Sequence, residues 1–273
     1  MLGDCIEQVR RSGPLVHNIT NAVAINDVAN VVLACGARPI MSDEPSDIQE
    51  ITSICDALNI NIGMLKKYTA ESMLLAGKKQ RELGRPRVLD PVGVGASSFR
   101  KETAARLLQE VGFTVIRGNI SEIRTLSMGA GNTTGVDAAV ADQLTEEKLD
   151  NLIPFLKAFS EKTGSVLAVT GTIDLVCDGK TCYVIRNGRK EMGKVTGTGC
   201  MLSGMTAAFL AANPGKELEA AAAAVCTMGL AGEIGWSRMQ EGDGNATYRN
   251  KIIDAIYNMD GETLNKGAKY ELR

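Results

Sequence analysis

Aromatic rings are scarce in this 273-residue chain: Phe, Trp and Tyr together make up 4%, and there is a single Trp. Without stacking platforms the chain is a poor single-strand nucleic-acid binder. With 30 basic against 32 acidic residues and no basic cluster, it also lacks the electrostatic footprint of a duplex binder. Histidine occurs once, at His17, which excludes any Ser/His/Asp arrangement built elsewhere. The seven cysteines form no C-x-x-C pair, so a zinc cluster is not expected. Their odd number points to reduced thiols in a cytoplasmic protein. The opening MLGDCIEQVRRSG holds no apolar core of a secretory leader. The longest stretch that raises the question of a membrane span, residues 220–232, is charge-free but too short to cross a bilayer, and it is so rich in Ala and Gly that a tightly packed buried helix is expected. Neither G-x-x-x-x-G-K-[ST] nor a post-strand G-x-G-x-x-G occurs, which disfavours P-loop and dinucleotide-binding proteins.

What is present is an apolar fraction of 44%, enough for a large core made of Ala, Val, Ile, Leu and Met. Short β-type runs alternate with helical periodicity. Strands are expected at 15–19, 38–41, 59–62, 87–92, 114–117 and 166–170, with a hairpin of 175–177 and 181–186 around Asp178-Gly179. Helices are expected at 21–35, from Pro45 to about Leu58, and at 68–83, 100–111, 121–127 and 146–159. A glycine-rich loop spans 129–135, and the chain is mostly helical from Cys200 on. This alternation implies an α/β fold with a mostly parallel sheet covered on both faces, and no linker or repeat divides it, so one domain over 1–273 is expected.

In such folds ligands bind beyond the carboxyl ends of the strands. The residues there are His17-Asn18, Met41, Asn61-Gly63, Asp90-Pro91, Arg117-Gly118-Asn119 and Thr170-Gly171, a set suited to phosphates, cations and polar groups. Thr196-Gly197-Thr198-Gly199-Cys200 precedes an apolar helical stretch, where unpaired backbone N–H groups and the helix dipole favour an anion; an ordinary glycine turn with a helix cap explains the same letters. Asp90 at a strand end is able to hold Mg²⁺ or to cap the next turn. Arg117 offers a fork for a nucleotide phosphate. Asn119 and Glu122, three apart, suit a hydrated Mg²⁺ on a polyphosphate or a capping box, and the two roles are compatible. Met41 is equally a core residue, and His17 reads as structural or substrate-lining ahead of general base.

Together these motifs resemble those of the hydroxyethylthiazole kinases. The resemblance is carried by "PLVHNITN" from Pro14, Asn61-Ile62-Gly63, "LDPVGVGASSFR" from Leu89, "VIRGNISEI" from Val115, Thr170-Gly171 and "VTGTGCMLS" from Val195. These occur in the expected order over roughly Pro14 to Ala211. The resemblance implies a ribokinase-like three-layer α/β/α fold and ATP- and Mg²⁺-dependent phosphorylation of 4-methyl-5-(2-hydroxyethyl)thiazole, a salvage step toward thiamine. It also implies a homotrimer with thiazole sites between subunits. It places Met41 and Gly197 on the thiazole and Arg117, Thr170, Asn119 and Gly199 on ATP. Asp90 and Glu122 fall on the metal and phosphates, and Cys200 falls at the base position, where wider ribokinase-like kinases usually carry Asp. For that reason Cys200 weighs against a hydroxymethylpyrimidine kinase or a nicotinamide-nucleotide-hydrate dehydratase, and the retained Asp90, Asn119 and Glu122 weigh against a non-catalytic nucleotide-binding regulator. One stretch departs from the pattern: after Met41, small residues and often a His are expected, and here Ser42-Asp43-Glu44 sets two acids beside the thiazole wall. A free thiol has a pKa of about 8.5, and a helix dipole shifts it by less than about one unit. Cys200 is therefore expected to be a weak base, with the turn supplying most of the catalysis.

Overall fold

The computed structural model describes residues 1–129 and 145–273. Among the described residues nine strands form one sheet: β1 Leu15–Ile19, β2 Arg38–Met41, β3 Ala57–Asn61, β4 Arg87–Asp90, β5 Val115–Asn119, β6 Val166–Thr170, β7 Asp174–Cys177, β8 Cys182–Ile185 and β9 Tyr270–Leu272. Their order is β2-β1-β3-β4-β5-β6-β7-β8-β9. The first six run parallel and the last three join antiparallel. The helices are α1 Leu2–Ser12, α2 Ile25–Ala34, α3 Ile48–Ile54, α4 Lys67–Glu82, α5 Ser98–Glu110, α6 Ile120–Met128, α7 Leu149–Thr163, α8 Thr198–Ala212, α9 Glu217–Ser237, α10 Asn245–Tyr257 and α11 Gly261–Gly267.

The helices form two outer layers. One core packs α1, α2, α8, α9, α10 and α11 on one face of the sheet, and the other packs α3 to α7 on the opposite face. Strands covered on both sides need no polar alternation, which is why β3 is buried along its whole length. The expected α/β/α layering is present. Strand β1 pairs with β2 on one side and β3 on the other, so the chain reverses its direction of travel across the sheet there. Such a switch point opens a crevice above the strand ends.

Several expectations change. The amino-terminal segment, expected only to lack a leader, is a helix whose Leu2, Cys5, Ile6 and Val9 recur at one-turn spacing and are buried. The helix expected from Pro45 is shorter, because Leu58 already belongs to β3. Residues 130–135 of the expected glycine-rich loop lie outside the described residues. The carboxyl-terminal third is helical as expected, but it ends on β9. Residues 220–232 are part of a 21-residue helix, long and apolar enough to cross a membrane. Its most apolar window is 78% buried in the protein, with Ala220 to Ala224 fully enclosed. Cys177 and Cys182, opposite each other in the β7–β8 hairpin, form a disulfide, which corrects the expectation of seven reduced thiols; the other five are free.

Candidate active site

The carboxyl ends of β3, β4, β5 and β6 present Asn61, Asp90, Arg117 and Thr170 side by side, with Asn61 in register with Asp90 and Asn119 with Thr170. Arg117 and Asp90 are both buried, at 8% and 0% exposure, so their charges must satisfy each other. Arg117 Nη1 lies 3.2 Å from each Asp90 carboxylate oxygen, and Nη2 donates to Thr170 Oγ1 at 3.1 Å. Burial works against the guanidinium charge, but Asp90 and then Glu122 more than offset it, and the group stays above its usual pKa. Asp90 Oδ2 also accepts Asn61 Nδ2 and Ser203 Oγ, each at 2.7 Å. Arg117 Nε is buried and has no hydrogen-bond partner.

The amino terminus of α8 stands over this row. The helix starts at Thr198, so Cys200 occupies its first turn rather than the join before it. Gly197 takes φ +84°, a left-handed conformation open to glycine, and a Cβ there would stand 3.0 Å from Ala24 Cβ. The first helical hydrogen bond runs from Met201 N–H to Gly197 O, so the N–H groups of Thr198, Gly199 and Cys200 precede it and point out of the helix end. The Arg117 guanidinium occupies the space beside Gly199 that a side chain would fill: an added Cβ would be 2.8 Å from Nη1 and 3.0 Å from Cζ. One guanidinium and three N–H groups thus converge, which makes a strong anion site. Cys200 Sγ is half-buried and receives Asn21 Nδ2 at 3.1 Å and Asn61 Nδ2 at 3.3 Å. Burial and then Asp90 raise its pKa, while the Asn21 donor and Arg117 pull it down.

Asn119 and Glu122 form the capping box in full. Glu122 N–H donates to Asn119 Oδ1 and Asn119 N–H to Glu122 Oε2, both at 2.8 Å. Glu122 Oε1 also accepts Gly93 N–H at 3.0 Å, and burial raises its pKa. Among the described residues no three His, Cys, Asp or Glu side chains cluster as a metal cage. Asp90 is enclosed by Arg117, Asn61 and Ser203 and leaves no open side for direct coordination. Glu122, at the rim, keeps free lone pairs and fits an ion that retains its waters.

Beside the turn opens a cavity of about 900 Å³ whose wall includes Arg117, Asn119, Thr170, Asp174, Thr198 and Gly199. Asp174, partly exposed in that wall, accepts Gly171 N–H at 2.8 Å, and burial pushes its carboxyl up to about 7.

The sequence profile described as the Hydroxyethylthiazole kinase family matches residues 6–262. The chain belongs to that family. It is 56% identical over 271 residues to a hydroxyethylthiazole kinase of Clostridium acetobutylicum, covering 99% of each chain. It is 44% identical to one from Ruminiclostridium cellulolyticum, over 97% of this chain and 94% of the relative. The structure of a Pyrococcus horikoshii hydroxyethylthiazole kinase superposes with a TM-score of 0.87 at 32% identity, covering 100% of this chain and 98% of that one. A ribokinase-like superfamily protein of Enterococcus faecalis, at 15% identity and a TM-score of 0.66 over 97% of this chain and 95% of its own, shares the fold.

Within this family member the expected residues divide. Arg117, Asn119, Thr170 and Gly199 line the cavity. Asp90, Glu122, Gly197 and Cys200 stand around it, outside its lining. Met41 lies apart, at the end of the edge strand β2 in register with Asn18. His17 is buried between Thr52 Oγ1 and Ser42 O, and burial lowers its pKa, so it is a neutral structural ring. Residues given no role from sequence also matter. Arg100 donates to the carbonyl oxygens of Ile62, Val92 and Gly63 at 2.6, 2.9 and 2.8 Å, tying the loops after β3 and β4 together. Asn21, Asn61, Arg100 and Ser203 all fall inside the stretches that carried the family resemblance; Asp174 does not, and only its place after Thr170-Gly171 marks it.

Proposed function

We propose that the protein transfers the γ-phosphoryl group of ATP to the hydroxyl of 4-methyl-5-(2-hydroxyethyl)thiazole, a cytoplasmic salvage step toward thiamine carried out by one domain spanning the chain. The observation that carries this reading is the convergence of Arg117 with the N–H groups of Thr198, Gly199 and Cys200 at the mouth of a cavity sized for a nucleotide, in a member of the thiazole kinase family. Phosphoryl transfer has a loose transition state, so catalysis is mostly positioning and charge stabilisation. Arg117, fixed by Asp90 and Thr170, meets the phosphates from the sheet, and the α8 turn holds the γ-oxygens as charge shifts onto them. Asn119 and Asp174 border the nucleotide. Mg²⁺ neutralises phosphate charge in such reactions, and Glu122 is the residue that would hold it through water. Cys200, beside the turn, receives the hydroxyl, and its thiolate form, having lost its own proton to solvent, takes up the hydroxyl proton late. Its raised pKa keeps it mostly protonated at neutral pH, so it contributes less than the turn.

Gly197 and Met41 form the thiazole wall, with Asp43 and Glu44 exposed next to it. Val23 and Met64, at the same end of the sheet, are 68% and 45% exposed, and such apolar surface supports a homotrimer in which a neighbouring subunit closes the acceptor side. A coupled ADP-release assay over a panel of heterocyclic alcohols tests the function. Turnover should be highest with the hydroxyethylthiazole; preference for a hydroxymethylpyrimidine would overturn the substrate, and absence of turnover with ATP still bound would overturn the kinase.

A further inference from the structure

Around Cys200 every amide proton of two asparagines has an assigned partner. Asn21 Oδ1 accepts the N–H of Ala24 at 3.2 Å, and Asn61 Oδ1 accepts the N–H of Gly63 at 2.9 Å. A backbone N–H only donates, so these bonds fix which end of each side chain is oxygen and turn both NH₂ groups inward. Asn21 Nδ2 gives one proton to Asn61 Oδ1 at 3.0 Å and the other to Cys200 Sγ at 3.1 Å. Asn61 Nδ2 gives one to Asp90 Oδ2 at 2.7 Å and the other to Sγ at 3.3 Å. Gly63 makes room for the pair: a Cβ on it would stand 2.8 Å from Asn61 Oδ1 and 3.0 Å from Asn21 Nδ2. The sulfur is therefore held by two amide donors that are themselves hydrogen-bonded to each other, and Cys200 remains only half-buried.

We propose that Asn21 and Asn61 form a two-donor clamp on the Cys200 sulfur and are positioning residues for phosphoryl transfer, orienting the thiol and stabilising it once its proton has left. The assignment rests on the reading of Cys200 as the proton acceptor. The clamp also supplies a physical reason why a thiol serves at this position: two N–H donors offset part of the cost of a half-buried sulfur anion beside Asp90.

The test uses the full-length protein and reads Cys200 directly. Cys5, Cys35, Cys55 and Cys226 are buried, so iodoacetamide at short times reports on Cys200. In Asn21→Ala the pH profile of alkylation should move upward, with the rate at pH 8 lowered roughly tenfold, the effect of losing one hydrogen bond to a charged group. The kcat should fall by a similar factor while the KM for ATP stays unchanged. In a Cys200→Ala background the same substitution should change kcat less than about twofold, because its target is gone. An unmoved alkylation profile, or an equal kcat loss in both backgrounds, overturns the clamp. If Asn21→Ala does not fold, Asn21→Ser, which keeps a short donor, is expected to shift the profile by a smaller amount in the same direction, and an unmoved profile again overturns the proposal. Should Cys200→Ala retain full kcat, the proton-acceptor reading fails, and with it the catalytic role of the clamp. The alkylation profile then still decides whether the amides hold the sulfur.

Discussion

The two halves of the site are built differently. The proposed phosphate half is built from groups that hold one another within the chain: a buried ion pair, a helix end, a capping box and a cavity wall. The proposed acceptor half, from Met41 to Glu44, sits on an edge strand and continues into exposed residues. Rigid charge placement is what phosphoryl transfer demands, whereas a hydrophobic acceptor needs only a wall. Substitutions in the first half should therefore cost both stability and rate, and those in the second should cost little beyond acceptor affinity.

The strongest test of that contrast is Arg117→Ala. It leaves Asp90 buried without its cation, so a loss of about 3–5 kcal/mol in urea unfolding is expected, together with at least about a 100-fold fall in kcat/KM for ATP in initial rates. Unchanged stability and unchanged ATP kinetics would erase the distinction. Next comes Gly199→Ala, whose methyl group displaces the guanidinium: kcat/KM for ATP should drop by about 100-fold, with ADP affinity by calorimetry weakened in parallel. Cys200→Ala should cost kcat roughly tenfold, less than the about 100-fold or more of a well-matched base because the thiol is mostly protonated, while Cys200→Asp keeps or raises it. Because the thiol pKa is raised, the proton-free form grows with pH, so kcat of the native protein should climb on the alkaline side. The Cys200→Asp profile should be flat there, and a climb in both would place the titrating group elsewhere. Met41→Ala should raise the KM for the thiazole alcohol by about tenfold, the size of one apolar contact, and leave the KM for ATP alone. The smallest effect belongs to Asp174→Asn. The native carboxyl becomes anionic as pH rises through about 7, so the KM for ATP should drift upward by a few-fold across that range, and the drift should vanish in the variant.

How far the letters alone reach differs along the chain in the same way. The six parallel strands were legible as short apolar-rich runs alternating with helical periodicity, whereas the exposed β9 was not, and Gly197 was legible because a turn with positive φ needs glycine. The capping box was legible because its partners lie three residues apart. The pairing of Arg117 with Asp90 was not, because it joins neighbouring strands 27 residues apart. Nor was the grip of Asn21 on Cys200, whose partners stand 179 residues apart. Helix α1 was not among the expected elements, although Leu2, Cys5, Ile6 and Val9 carry a one-turn apolar spacing.

The sulfur and its first amide donor enter the world at different times. With 179 residues between Asn21 and Cys200, and synthesis at about 5–20 residues per second, roughly 10–35 s pass between the emergence of the two. The phosphate grip draws on both ends of that interval: its strand residues are made early, and the α8 turn above them cannot be in place until residues 197–200 have been made.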